Sequence, residues 1–197
     1  MIVAPRSHLR ARFASGEGGM GERTGLPGVL GAEELRARIE GERPLLAGWQ
    51  DLDAQVQPNG FDLSLASVAR IEGRGTLAAD NAGRVLPKYQ EVRFDGDGFA
   101  TLQPGIYQVV FNEIVDLPND LMALGRPRSS LCRCGVTLHT AVWDAGYRGR
   151  STSLLNVINP SGFRVQRGAR LLQLVFFGLA SETAVGYRGI YQGENIA

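Results

Sequence analysis

The sequence predicts a mainly β domain with one short helix near its N-terminus, and three observations carry that prediction. Glycine occurs 26 times in 197 residues, a turn-rich composition. Apolar residues fall in short runs at 61–71, 105–111, 121–124, 136–143, 152–158 and 171–177. Connections rich in Gly, Pro, Asn and Asp separate these runs, which is the punctuation of strands rather than of a helix bundle. The only helical pattern is Gly31-Ala32-Glu33-Glu34-Leu35-Arg36-Ala37-Arg38-Ile39-Glu40. Its acids come first, its bases later, and Leu35 and Ile39 lie four apart, so a short amphipathic helix aided by its own dipole is expected to pack on the β domain.

The chain length suits one well-cored domain. Residues 1–27 mix Arg, Gly and Ser without an apolar period and read as a mobile leader, with Met20 an alternative start. Residues 28–185 form the β domain, within which the polar, glycine-rich stretch 73–98 reads as an excursion or hairpin; 186–197 reads as a flexible Gly/Tyr tail. A net charge of +1 gives no whole-molecule attraction to nucleic acid or membrane, although a local phosphate site is compatible with it. No apolar run is long enough to span a bilayer and no signal-peptide core is present, so a cytoplasmic protein is expected. Cys132 and Cys134, spaced C-x-C, match structural zinc spacings poorly and are expected as reduced thiols in a strand or hairpin.

Three segments could carry chemistry. Gly125-Arg126-Pro127-Arg128-Ser129-Ser130-Leu131-Cys132-Arg133 brings three arginines and two adjacent hydroxyls together after an apolar strand. Arginine forks, hydroxyls and backbone N–H groups suit phosphate oxygens, while the plainer alternative is a solvated turn with surface arginines. In the second, His139-Thr140-Ala141-Val142-Trp143-Asp144-Ala145-Gly146-Tyr147-Arg148-Gly149, a strand ends in Asp and turns through glycine to a tyrosine. Asp144 could orient and deprotonate a water and Tyr147 could pack on a sugar; equally, Asp144 could cap the turn and Tyr147 plug the barrel mouth. The third, Gly168-Ala169-Arg170-Leu171-Leu172-Gln173-Leu174-Val175, sets a polar Gln173 amid apolar strand neighbours, where it binds ligand or is satisfied by nearby backbone.

In this order the segments resemble the dUTPase and dCTP deaminase superfamily from about Gly28 to the C-terminus. Pro58-Asn59-Gly60-Phe61-Asp62-Leu63 looks like the first family motif, Arg128-Ser129-Ser130-Leu131 the second, Asp144-Ala145-Gly146-Tyr147-Arg148-Gly149 the third and Gly168 to Leu174 the fourth. Tyr191-Gln192-Gly193-Glu194 resembles the tail of the deaminase-like branch, as does the early helix. The resemblance implies a distorted jelly-roll-like β-barrel of the dUTPase type. It also implies a homotrimer whose sites lie between subunits, motifs two and four of one chain facing motif three of another.

The scaffold serves deaminases, dUTPases and bifunctional enzymes. In the deaminases and bifunctional members a catalytic glutamate follows the motif-three aspartate by ten residues; here that position is Leu154, in Ser151-Thr152-Ser153-Leu154-Leu155, and no Asp or Glu lies between Asp144 and Glu182. The H-x-E and P-C-x-x-C zinc pattern of the other deaminases is missing as well. The expectation is therefore a dUTP diphosphatase with Asp144 as the water-activating base. Arg128, Ser129, Ser130, Arg133, Thr152 and Gln173 would bind the nucleotide, and Tyr147 would lie beneath the deoxyribose. Tyr191 and Gln192 would close over it, although Ile190 replaces a lysine common in the deaminases. The resemblance also implies Mg²⁺, which Asp62 would touch through water or whose site it would brace. The alternatives are a deaminase or bifunctional enzyme with a displaced acid/base, and a nucleotide-binding regulatory homologue without turnover. Intact Asp144, Tyr147, Ser129 and Ser130 count against the latter.

Overall fold

A computed structural model describes residues 28–196. The expected leader, 1–27, lies outside the described residues. In chain order the elements are α1 (Ala32–Ile39), β1 (Leu46–Ala47), α2 (Leu52–Gln55), β2 (Val56–Gln57), β3 (Gly60–Glu72), β4 (Lys88–Glu91), β5 (Phe99–Leu102), β6 (Gly105–Phe111), β7 (Ile114–Asp116), β8 (Leu121–Pro127), α3 (Ser129–Arg133), β9 (Val136–His139), β10 (Val142–Trp143), β11 (Arg148–Gly149), β12 (Thr152–Val157), β13 (Phe163–Gln166) and β14 (Arg170–Gly178). The expected mainly β architecture is therefore found. As predicted, α1 buries Leu35 and Ile39, with Glu33 and Glu34 in its first turn and Arg36 and Arg38 in its last, each sign where the dipole favours it.

The main sheet is antiparallel and runs β10-β8-β14-β3-β6-β12-β9, with β2 and β4 also on β3; β1-β7-β11 and β13-β5 form two small satellites. Residues 136–143, expected as one strand, divide at Thr140 and Ala141 into β9 and β10, which sit at opposite ends of this path. Two residues cannot reach across an open sheet of seven strands, so the sheet must curl until its rims meet. Excursion 73–98 is a hairpin-like loop: Thr76 bridges Val85, and β4 returns along the end of β3.

The central strand β3 explains how the core and the site share one sheet. Its sequence Phe61-Asp62-Leu63-Ser64-Leu65 alternates, and all five residues are buried. Phe61, Leu63 and Leu65 enter the core with Leu172, Leu174 and Phe176 of β14 and Phe111 of β6. Asp62 and Ser64 point to the opposite face, where buried polar groups need partners. Gly60 opens the strand because a Cβ there would stand 2.3 Å from the Leu174 carbonyl oxygen.

Two local expectations change. Cys132 and Cys134 are unbridged, as expected, but they lie exposed in and just after α3 instead of in a strand or hairpin. The segment expected as a phosphate loop is accordingly one helical turn capped by Arg128, its Leu131 buried as an anchor. No helix among the described residues is long and apolar enough to cross a membrane.

Candidate active site

The turn after β10 builds one wall of a cleft of about 260 Å³, lined among others by Trp143, Asp144, Tyr147, Thr152, Tyr191 and Glu194. The turn closes by donation from the Tyr147 backbone N–H to the Asp144 carbonyl, 3.1 Å. Gly146 has φ +81°, and a Cβ there would lie 2.6 Å from Gly186 Cα, so only glycine admits both the turn and the chain packed over it. Asp144 is exposed, and its carboxylate has no hydrogen-bond or ion-pair partner among the described residues. The turn is held by its main chain, which leaves the side chain available to a ligand or water.

Tyr147 is the buried centre of this wall. Its hydroxyl donates to Glu194 Oε1 at 2.9 Å and lies 3.1 Å from Ser151 Oγ, which also accepts from Trp143 Nε1. Burial above all pushes the phenol well above its ordinary range, so the ring stays neutral. Burial likewise raises the Glu194 carboxyl, against the pull of the Tyr147 hydrogen bond.

The segment expected as a flexible tail is seated on this wall. Gln192 Oε1 accepts from the Arg148 N–H at 3.0 Å, and its amide donates to the Gly146 carbonyl at 2.9 Å. The Arg150 N–H donates to the Glu194 carbonyl, and Asn195 Nδ2 to the Arg150 carbonyl. The Arg148 side chain turns to Asp116 at 3.3 Å and Arg150 to the carbonyls of Asn112 and Asn195, so both brace the hairpin.

The other predicted residues lie elsewhere on the same chain. Arg128 Nε meets Asp62 Oδ2 at 3.0 Å; Ser129 and Ser130 are exposed on the first turn of α3, and Arg133 is exposed at its end. Gln173 stands directly across the strand pairs from Asp62 on β3 and Arg126 on β8. Its amide makes no hydrogen bond among the described residues, so neighbouring backbone does not satisfy it. None of Asp62, Arg128, Ser129, Ser130, Arg133 and Gln173 lines the Asp144 cleft. One chain thus presents two candidate half-sites, a carboxylate-and-tyrosine cleft and an arginine-and-hydroxyl surface.

Sequence reasoning missed the buried support behind the second half-site. Glu113, 0% exposed, accepts from the Ser64 N–H at 2.9 Å, Ser64 Oγ at 2.6 Å and Gln55 Nε2 at 2.6 Å; Gln55 Nε2 also donates to the Asp62 carbonyl at 2.8 Å. Burial pushes the Glu113 carboxyl up, and burial raises Asp62 too, against Arg128 and then Arg170. The alternating Phe61–Leu65 pattern was the available signal, since two polar residues on one face of an otherwise apolar strand require partners. Glu194 and Ser151 were given no role either, although Glu194 closes the quoted tail block and Ser151 opens the quoted run to Leu155.

A family profile described as dCTP deaminase-like matches residues 29–179. A protein of Methanosarcina mazei named probable deoxyuridine 5′-triphosphate nucleotidohydrolase is 50% identical over 167 residues, 85% of this chain and 98% of that one. The Methanocaldococcus jannaschii deoxyuridine 5′-triphosphate nucleotidohydrolase is 37% identical over 143 residues, covering 72% of this chain and 90% of that one. The solved 2′-deoxycytidine 5′-triphosphate deaminase of Agrobacterium tumefaciens is 27% identical with a TM-score of 0.60, over 77% of this chain and 48% of that one, so this chain spans about half its length. The profile takes in all four motifs and β14 but stops short of the tail that lines the cleft, and from its fold, its ordered motifs and these relatives together the chain belongs to the dCTP deaminase-like family.

Proposed function

We propose that this protein is a dUTP diphosphatase, hydrolysing dUTP to dUMP and pyrophosphate. The observation that carries this reading is the side chain at position 154. Leu154 shares a face of β12 with Thr152, which lines the Asp144 cleft, and lies across from His139 and Gln108. A leucine there can neither give nor take the protons that deamination at C4 of cytosine requires. Asp144 remains, exposed at the cleft and without a partner among the described residues, as the group to orient water. The relatives named as deoxyuridine 5′-triphosphate nucleotidohydrolases support the same choice.

In the mechanism, Asp144 accepts a proton from water as its oxygen bonds to the α-phosphorus, and the α–β bridging P–O bond breaks to release pyrophosphate. The neutral Tyr147 ring packs under the deoxyribose, Thr152 lies at the cleft edge, and Tyr191 and Gln192 close the tail over the nucleotide. Arg128, Ser129, Ser130, Arg133 and Gln173 hold the triphosphate from a neighbouring chain of a homotrimer, because on their own chain they lie outside the cleft. Mg²⁺ would be held chiefly by the nucleotide's own phosphates, and it would supply charge compensation there. Among the described residues no three His, Cys, Asp or Glu side chains group to hold a metal. Asp62, 1% exposed with Oδ2 facing two arginines, does not fit the role of contacting the ion.

One observation favours a second reading. Glu194 lines the cleft as another carboxylate, a candidate for a displaced acid/base of dCTP deamination. The test incubates the purified protein with Mg²⁺ and either dUTP or dCTP and resolves the products by chromatography. dUMP from dUTP is expected, with dCTP untouched and Asp144→Asn slowing turnover by about 10²- to 10⁴-fold. Uracil nucleotides appearing from dCTP, lost in Glu194→Gln, would establish the second reading instead.

A further inference from the structure

Arg148 is bonded on two sides, and the proposed mechanism gives it no role. Its main chain seats the tail: the N–H donates to Gln192 Oε1 at 3.0 Å, and the carbonyl accepts from the Gly193 N–H at 2.8 Å. Its side chain does not line the Asp144 cleft but turns to Asp116, its partner across the β7–β11 strand pair. Arg148 Nε meets Asp116 Oδ2 at 3.3 Å, and the other oxygen, Oδ1, accepts from Arg43 Nη2 at 2.5 Å.

Asp116 ends β7, the middle strand of the small sheet β1-β7-β11, and the residues after it hold the active-site turn. The Asp116 N–H donates to the Leu45 carbonyl at 3.0 Å, the Leu117 N–H to the Tyr147 carbonyl at 2.9 Å, and the Gly146 N–H to the Pro118 carbonyl at 3.3 Å. The Thr183 N–H donates to the Asn119 carbonyl at 3.0 Å. One short stretch thus touches the segment after α1, the turn that presents Asp144 and Tyr147, and the chain leading to the tail. Asp116 adds a side-chain tie to these main-chain ones. Its carboxylate, 19% exposed, lies between a guanidinium from the α1–β1 connection and one from β11. A cavity of about 200 Å³, lined among others by Arg43, Leu45, Asp116 and Pro118, borders the carboxylate, so ion pairing rather than close packing sets its direction. Arg43 and Arg148 are both more than half exposed, and such pairs add little to global stability. Their effect is local: with Oδ1 committed to Arg43, Oδ2 holds the residue on which the tail rests.

We infer that Asp116 is a positioning residue for nucleotide binding, fixing Arg148 so that its main chain seats the tail at the Asp144 cleft, which Tyr191 and Glu194 line. The nucleotide's part in this rests on the protein being a dUTP diphosphatase; the seating of the tail does not.

The test pairs hydrogen exchange with steady-state dUTP hydrolysis, both on the full-length protein. Asp116→Asn keeps the shape of the side chain and removes its charge. It is expected to speed exchange at the Arg148 and Gly193 amides by about 2- to 5-fold, while the Leu65 amide of β3, bonded to the Ala169 carbonyl, keeps its wild-type rate. KM for dUTP should rise by about 2- to 5-fold with kcat kept, the split expected when a binding element loosens. Arg148→Gln should match both changes, and the double variant should be no worse than Arg148→Gln alone, because the two substitutions remove the same tie. Unchanged exchange at Arg148 and Gly193 in Asp116→Asn, a Leu65 amide that speeds up equally, or effects of the two substitutions that simply add would overturn the positioning role. Wild type and variants that show the expected exchange pattern but leave dUTP intact would keep the seating role and remove the dUTP assignment. dUTP hydrolysed with the same KM by wild type and Asp116→Asn would keep that assignment and remove Asp116 from binding.

Discussion

Glu113 is the buried acceptor on which the polar face of β3 is anchored. It is buried completely, and three donors from Ser64 and Gln55 converge on its two oxygens. Glu113→Gln turns one acceptor into a donor against those donors, a loss of about 1–3 kcal/mol in denaturant unfolding. Burial raises its folded pKa, so the stability Glu113 contributes is complete below the ordinary glutamate value and is lost as pH rises through the raised one. The gap between wild type and variant should therefore narrow with rising pH; a gap that widens would mean that the carboxylate, not the acid, is the favoured buried form. Tyr147→Phe tests the other half-site. Without its hydroxyl, Glu194 loses a hydrogen bond of 2.9 Å and the tail one of its ties to the cleft. KM for dUTP should rise by about 3- to 10-fold with kcat largely kept, read in steady-state kinetics.

At the scale of elements, the clasp between the tail and the β11 hairpin has a specific signature. The Arg148 and Arg150 amides donate to Gln192 Oε1 and the Glu194 carbonyl. Truncation after Val185 should speed hydrogen exchange at these two amides while leaving β3 and β14 protected. Equal exchange in both proteins would mean that the tail does not rest there in solution. Such a clasp is hard to read from sequence, because Gln192 and Asn195 sit in a glycine-rich stretch without period and their partners are mostly backbone groups. Strands were legible where one face is apolar, as on β3, β6, β12 and β14, since alternation records burial. Three features escaped that rule for physical reasons. The rim-to-rim break at Thr140 and Ala141 lies inside a run that still reads as β. The turn of α3 is held by its buried Leu131 and the Arg128 carbonyl rather than by helical periodicity. A register shift on β14 between Arg170 and Leu172 changes which face Arg170 occupies without changing a letter of the pattern. Of the candidate site, Asp144 and Tyr147 were legible because the turn that presents them is local; the pairing of Arg128 with Asp62 was not, since it depends on strands far apart in sequence.

For the whole molecule, the separation of the two half-sites on one chain sets the expectation for assembly. If the arginine surface of one subunit completes the Asp144 cleft of the next, light scattering should give three chains per particle. Mixing inactive Asp144→Asn and Arg128→Gln subunits under exchange should restore about a quarter of wild-type activity, because random pairing leaves that fraction of sites with both halves intact. Activity that stays absent after proven exchange would place both halves within one subunit. The meeting of the sheet's rims at Thr140 and Ala141 has a kinetic consequence. β9 and β10 are nearly adjacent in sequence, yet each must find a partner on a different rim, and those partners are themselves secured through the central strands β3 and β14. Few registers can therefore be tested locally, and refolding should be slow for a chain of this size, on the order of milliseconds to seconds. The active-site turn, tied to that last closure, should acquire native order with the completed barrel and not before it.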